Sequence, residues 1–539
     1  MKRAYYKNTI ADEKLLMRVP SGLQKANYSR MKRIYIYLTL VVLLTGLNSC
    51  DKDFEEINTN PVLATTLDPI YLFSNAEFSS ALNTLSYQSA IVQQIVTPFT
   101  GVLEGGNHNL VYDPNSNAIF NSLYAAPSGP VVLLTDVINQ TKANPARINL
   151  YSMARIMKAY VFSVLVDTYG DVPYTQAGQG FLSGINLPKY DDNKTIYDDL
   201  IKEVSEATKA LDATKTIETG DLFYKGNIAQ WQKLGNSLLL RLAMRYSKAD
   251  ATKAQQYVTT AVSGGVMQSN TDNALIAFNS SFNHPSANSY QGTEKGNYYL
   301  GKPFVDYLLS TSDPRLNVIA VKYQFPANAL ASAGTEDVNP LDQNGMPFGY
   351  NESSIVNDPL YPGKSGAAWK YSQLNRRTVA KIDIPEFFIT YAQTQLLLAE
   401  AAQRGWTTGS VSGFYNAGVK AHMDQMKQYD VTAAIPAASQ DAYLLANPFN
   451  AATALQQINT QYWIASFQNG SEAWANFRRS GFPALAPNTY PSADPAVAGG
   501  FIHRLVYPVR EKSVNTANYN EAVARMGADN LATRVFWDK

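Results

Sequence analysis

Apolar residues recur at three- and four-residue spacing in several long stretches of the chain, and each such stretch predicts an amphipathic helix. Pro69–Phe99 carries Leu72, Ala76, Leu82, Ile91 and Ile95 and stops at Pro98. Leu150–Asp167 repeats the pattern with Leu150, Met153, Met157, Tyr160 and Val164, while the small Ala154 and Ala159 leave room for a close neighbour. Gly170 then suits a C-terminal cap and Pro173 prevents continuation. Ile196 to about Leu211 and a stretch opening near Asn227, with Trp231, Leu234, Leu238 and Leu242, follow the same logic. The spacing predicts further helices at Pro385–Arg404, Val411–Lys427 and Ala452–Gln468. Joined by turns that contain Pro or Gly, these helices are expected to pack as antiparallel pairs. The fold class is therefore mainly α. Because the pairs are irregularly spaced, a divergent tetratricopeptide-like core with long insertions is expected rather than a uniform solenoid.

Two stretches break the pattern. Gly101 to Pro130 turns to Gly, Asn, Ser and Pro with isolated aromatics, and Ser263–Tyr371 does the same over a greater length. Within the second, a short helix at Lys302–Leu309 and strands around Leu316–Tyr323 are expected. Irregular stretches of this length on a rigid scaffold usually form a functional face, so residues of about 101–130 and 263–371 are the expected ligand face.

The start of the chain has its own pattern. Lys32 and Arg33 precede the apolar run Ile34–Leu47, and Leu47-Asn48-Ser49-Cys50 closes it. The run is shorter than the roughly 20 residues that span a bilayer, and it fits a secretory signal. A Leu three positions before Cys50, with small residues between, is the pattern of a lipoprotein signal whose Cys receives the lipid. Cys50 is the one cysteine of the sequence, so it forms no internal disulfide, and it is the expected lipidation site. Several acyl chains on one residue make a lasting tether where a single chain binds only marginally. Residues 1–30 read as an over-extended start before Met31, residues 31–49 as the signal and 50–61 as a polar tether. Residues 62–539 form the expected single domain.

Composition narrows the function. The 45 Lys and Arg balance 44 Asp and Glu, and the first 49 residues are rich in basic side chains, so the chain from Cys50 onward is mildly acidic. That excludes binding driven by counterion release from nucleic acid. His108, His284, His422 and His503 are scattered, with no H-E-x-x-H pattern, no EF-hand spacing and no phosphate-binding Gly-rich loop, so no metal and no cofactor is expected. Asp167 with Asp171, and Glu472 beside Trp474, raise the reading of a surface glycosidase, since glycoside hydrolysis needs paired carboxylates. Helix termination by Asx side chains and an interfacial ion pair account for the same residues more simply.

Asp53–Pro61, ARIMKAYVFSVLVDTYGDVPYTQA at Ala154–Ala177, PKYDDNKTIYDDL at Pro188–Leu200 and GNIAQWQKLGNSLLLRLAMR at Gly226–Arg245 resemble the SusD/RagB family of outer-membrane nutrient-binding lipoproteins. DPRL at Asp313–Leu316, LLLAEAAQRGW at Leu396–Trp406, QYWIASFQNGSEAWANFRRSGFP at Gln461–Pro483 and RLVYPVREKSVNTANY at Arg504–Tyr519 continue the series in order. The resemblance implies a non-enzymatic, lipid-anchored protein of the outer membrane, facing the cell exterior, with a SusC-like TonB-dependent transporter as partner. It implies capture of an oligosaccharide or, in some members, a peptide. Flat aromatic rings stack on the apolar faces of sugars while polar side chains meet the hydroxyls. The candidate ligand residues are therefore Asn107, Asn109 and Tyr112 in the first irregular stretch, with Tyr290, Tyr298, Tyr299, Trp369 and Tyr371 in the second.

Overall fold

The computed structural model describes residues 67–82, 86–101, 103–125, 127–328, 330, 336–365 and 368–539. The signal, Cys50 and the tether to residue 61 lie outside the described residues. Ten helices carry the architecture: α1 (Pro69–Ser79), α2 (Pro130–Thr141), α3 (Ile148–Tyr169), α4 (Asn193–Ala210), α5 (Ile228–Arg245), α6 (Ala251–Gly264), α7 (Tyr391–Gln403), α8 (Val411–Tyr429), α9 (Ala454–Ala465) and α10 (Gly470–Ser480). From α1 to α6 each helix packs on the next, so the packed pairs run α1 on α2, α2 on α3, α3 on α4, α4 on α5 and α5 on α6. A second group packs α7 on α8, α7 on α9 and α9 on α10. Contacts of α5 with α7 and of α3 with α10 join the two groups. This is the mainly α, tetratricopeptide-like arrangement of helical pairs that the spacing predicts.

The helix ends follow from local chemistry. Asp192 caps α4 by accepting from Thr195 N at 2.8 Å, Asn227 caps α5 through Gln230 N at 3.3 Å, and Asn469 caps α10 through Glu472 N at 3.3 Å. Thr390 and Gln393 form a reciprocal capping box at the start of α7. Gly170 ends α3 at φ 82°, with its N–H on Val166 O at 2.8 Å, as the sequence predicts. Helix α3 is buried over nearly its whole circumference, so it forms the spine of the core.

The expected boundaries shift in places. The stretch Pro69–Phe99 is two helices, α1 and Ser86–Ile91, followed by the strand Ile95–Val96. Pro385–Arg404 divides into the strand Glu386–Ile389, antiparallel to Ala274–Ile276, and α7. The first irregular stretch contains the helix Asp113–Tyr124, whose start is set by a proline in its first turn. Leu316–Tyr323 begins as the short helix Leu316–Ile319 and only then becomes the strand Ala320–Tyr323.

Charged side chains inside the core explain several of the motifs. Asp313 and Arg315 of DPRL are both buried, and the Arg315 guanidinium donates to Asp313 Oδ1 at 2.9 Å and to Gln461 Oε1 at 2.7 Å. His422 lies 2.9 Å from the same guanidinium, and burial together with that charge holds it well below the usual histidine range, so it is neutral. Glu400 on α7 takes two bonds from Arg479 on α10, at 2.7 and 2.6 Å, and one from Arg404 at 2.9 Å. Burial alone raises its carboxyl, but Arg479 and Arg404 outweigh that and lower it to about 2. A carboxyl depressed on folding contributes stability that is complete above its unfolded value and fades as pH falls towards the folded one. Chemical denaturation is therefore expected to show a loss on the order of 3 kcal/mol between about pH 4.5 and pH 2 that Glu400→Gln no longer shows. An unchanged acid limb in that variant would remove Glu400 from the account.

Candidate functional site

The strand Ile95–Val96 runs antiparallel to Tyr299–Leu300, with Val96 opposite Tyr299. Side chains alternate along a strand, so Tyr298 and Leu300 join the main core while Tyr299 faces the other way. On that side a second apolar cluster forms from Val96, Tyr299, Met346, Ile355 and Tyr371, all buried. Phe99, Phe348, Tyr350 and Tyr361 pack against it and remain half-buried. The cluster thus acts as a floor that holds aromatic side chains at the surface.

Backbone bonds fasten this floor to the scaffold. Gly301 N donates to Gln94 O at 2.9 Å, Met346 N to Leu300 O and Lys302 N to Met346 O, both at 2.8 Å. A Cβ at Gly301 would stand 2.2 Å from Gln93 O, so only glycine allows the two chains this close. Tyr371 donates its hydroxyl to Asp358 Oδ2 at 3.0 Å, and burial together with that carboxylate pushes the phenol up, which keeps it neutral. Three stretches distant in sequence meet at the rim. His108 Nε2 lies 2.9 Å from Tyr350 O, and its ring packs 4.1 Å from that of Tyr490. Asn351 Nδ2 donates to Tyr490 Oη at 3.4 Å.

Asn107 is buried and bonded to the backbone of Thr97, and its own carbonyl accepts from Asn488. Asn109, at φ 52°, donates to Gly500 O at 3.1 Å and accepts from Asp494 N at 2.8 Å. Both asparagines thus join the first irregular stretch to residues 486–500. Tyr112 is half-buried and donates to Gly101 O at 3.2 Å. Tyr290 and Tyr298 form an edge-on pair 6.2 Å apart on the main core, away from the second cluster. Tyr299 and Tyr371 are in the second cluster itself, beneath the exposed rings. Trp369 lies in a short strand paired with Lys364–Ser365, and its side chain lies outside the described residues. Of the candidates, then, Tyr299 and Tyr371 come together, with Asn107 and Asn109 supporting the adjoining loop. Phe99, Phe348, Tyr350, Tyr361 and Tyr490 were not among the expected ligand residues. The signal that points to them is the run PFGY at 347–350 and the alternation through Tyr298, Tyr299 and Leu300.

The carboxylates considered for hydrolysis are all engaged. Asp167 accepts from Arg245 Nε at 3.2 Å, from Trp537 Nε1 at 3.0 Å and from Tyr197. Glu472 accepts from Arg245 at 2.7 Å and from Tyr462 at 2.8 Å. Burial raises the Glu472 carboxyl, but Arg241 and Arg245 reverse this and hold it below its ordinary value. Glu472, held ionised in this way, is the opposite of a general acid, which needs a raised pKa, whereas burial raises Asp167 and Asp171 above the ordinary carboxylate value. Asp171 is buried between Asn193, whose N–H donates at 2.8 Å, and Arg525. Among the described residues no group of three His, Cys, Asp or Glu side chains is placed to hold a metal, and no helix is long and apolar enough to cross a membrane.

Residues 60–508 match the family model described as starch-binding and associating with the outer membrane, SusD-like. A solved chitin-binding protein is similar at 32% identity, covering 87% of this chain and 100% of its own, with a TM-score of 0.75. A SusD-like protein of Bacteroidetes is 27% identical over 88% of this chain and 100% of its own, with a TM-score of 0.76. A chitin-binding SusD homologue from Flavobacterium johnsoniae shares the fold at 24% identity, 87% and 97% coverage and a TM-score of 0.69. Among curated proteins none matches the sequence. With the family model matched over most of its length and the same helical-pair core as these structures, the chain belongs to the SusD-like family of outer-membrane-associated binding proteins.

Proposed function

We propose that this protein is a surface lipoprotein that captures an oligosaccharide on the face formed by Phe99, Phe348, Tyr350 and Tyr361 and passes it to a SusC-type TonB-dependent transporter. The observation that supports this most is the second cluster, which spends buried apolar side chains on holding rings at the surface rather than on the main core. Rings held in that way offer sugars a stacking surface without a large ordering cost on binding. Asp358, Asn351 and the Tyr490 hydroxyl stand beside them for polar contacts. The chitin-binding relatives make chitin oligosaccharides the first ligand class to test. Capture and handover require no bond-breaking, and the engaged state of Asp167, Asp171 and Glu472 favours a non-enzymatic role.

Affinity electrophoresis through gels containing glycol chitin, starch or other polysaccharides tests the ligand class. Retardation on at least one glycan is expected. No retardation on any of them, together with retention on a peptide library, would replace the glycan reading with peptide capture. The anchor has its own test. Cys50→Ala is expected to move the protein from the membrane fraction to the soluble fraction and to abolish labelling by a clickable palmitate analogue. Continued membrane association with labelling would refute lipidation at Cys50.

A further inference from the structure

The structure holds a second candidate sugar site, remote in sequence from the loop face and built on the helical scaffold. A cavity of about 410 Å³ opens between α8, the first residue of α7 and the turn at residues 269–271. That volume falls within the range of small-ligand sites, roughly 300–1,000 Å³. It shares no lining residue with the aromatic cluster described above.

The walls are held in place before any ligand arrives. Asn270 Nδ2 donates to Ala421 O at 2.8 Å, which ties the turn to α8. Asn273 Nδ2 donates to Gln428 Oε1 at 2.9 Å and its Oδ1 accepts from Tyr391 N at 2.7 Å, which ties the same turn to both helices. The groups left over are those a sugar ring needs. Tyr391 is half-buried, and its hydroxyl has no partner among the described residues. Lys427 is exposed and makes no ion pair among the described residues. One turn away, Asp424 has one carboxylate oxygen on Gln440 at 2.9 Å and the other uncommitted. An ammonium and a carboxylate on one helix face offer a donor and an acceptor to adjacent hydroxyls, while across the gap the Ser269 and Thr271 hydroxyls bond each other at 2.7 Å.

We infer that this cavity is an auxiliary carbohydrate subsite that takes a short neutral saccharide, one or two rings in length, with Tyr391 as the stacking surface and Asp424 and Lys427 reading vicinal hydroxyls. The inference rests on the glycan reading of the protein's function and adds a second point of attachment for a long chain. Two sites on one rigid body raise the avidity for a polymer without any new contact at either.

The test is calorimetric titration of the mature protein with chitobiose and with maltose at millimolar concentration, alongside Tyr391→Trp as a fluorescent reporter inside the cavity. Two sites per chain are expected with at least one of the sugars. Phe348→Ala with Tyr350→Ala removes one site, and Tyr391→Ala weakens the other at least tenfold. Lys427→Ala, at an exposed position, weakens it about threefold. Emission from Tyr391→Trp shifts on saturation. One site that Tyr391→Ala and Lys427→Ala leave untouched, with a silent Trp reporter, overturns the inference and leaves the function standing. Silence at both sites overturns the inference, and the glycan reading falls with it where electrophoresis shows no retardation on any polysaccharide.

Discussion

Arg245→Ala is expected to destabilise the protein by about 3–5 kcal/mol, the cost of leaving a buried charge without its partner. Arg245 is 1% exposed and lies between Asp167 and Glu472, with bonds of 3.2 and 2.7 Å. Its removal leaves two carboxylates facing each other in the core, with Tyr197, Trp537, Tyr462, Arg478 and the more distant Arg241 around them. Arg245→Met combined with Asp167→Leu and Glu472→Leu should recover much of the loss, because desolvating the ions is itself expensive and matched apolar side chains avoid it. Urea denaturation of the single and triple variants checks both statements. Equal stability of Arg245→Ala and the parent would mean that the network contributes nothing.

Phe348→Ala with Tyr350→Ala is expected to weaken oligosaccharide binding by at least tenfold for each ring, about 1.4 kcal/mol or more apiece, while leaving the melting temperature near that of the parent. Both rings are half-buried at the edge of the second cluster, so their truncation removes less packing than the loss of a fully buried ring. Tyr299→Ala makes the contrasting case. Tyr299 is fully buried beneath them, and cutting it back opens a cavity that costs about 3–5 kcal/mol and loosens the floor. Binding should fail there through stability, which calorimetry on the ligand side and thermal unfolding on the other separate. A Phe348/Tyr350 variant that binds every glycan as the parent does would move the site away from this face.

The helical scaffold was legible because burial imposes a spacing that side chains must obey. Leu150 to Val164 mark α3, and Ile196 to Leu211 mark α4, to within a few residues. The DPRL motif was legible only as a resemblance, and its physical content, a buried Asp313–Arg315 pair that reaches across to Gln461, emerges from the fold. The binding face was legible as a region but less so as residues. Tyr290, Tyr298 and Tyr299 read alike in sequence, yet strand alternation sends the last to one cluster and packing sends the first two to another. Residues 486–500 carried no periodicity to attract notice, and they join the face through the backbone carbonyl of Asn107 and the side-chain amide of Asn109, while the Asn107 amide is used up on the backbone of Thr97. Asn-rich sequence in a loop therefore marked the fastening of the face rather than its exposed surface.

The bond from Trp537 to Asp167 closes a separation of 370 positions. At roughly 5–20 residues per second, synthesis brings Trp537 out of the ribosome about 20–70 s after Asp167. Through that interval α3 has its spine but not the indole that completes the buried charge network, so Asp167 gains its last partner only when Trp537 has been made.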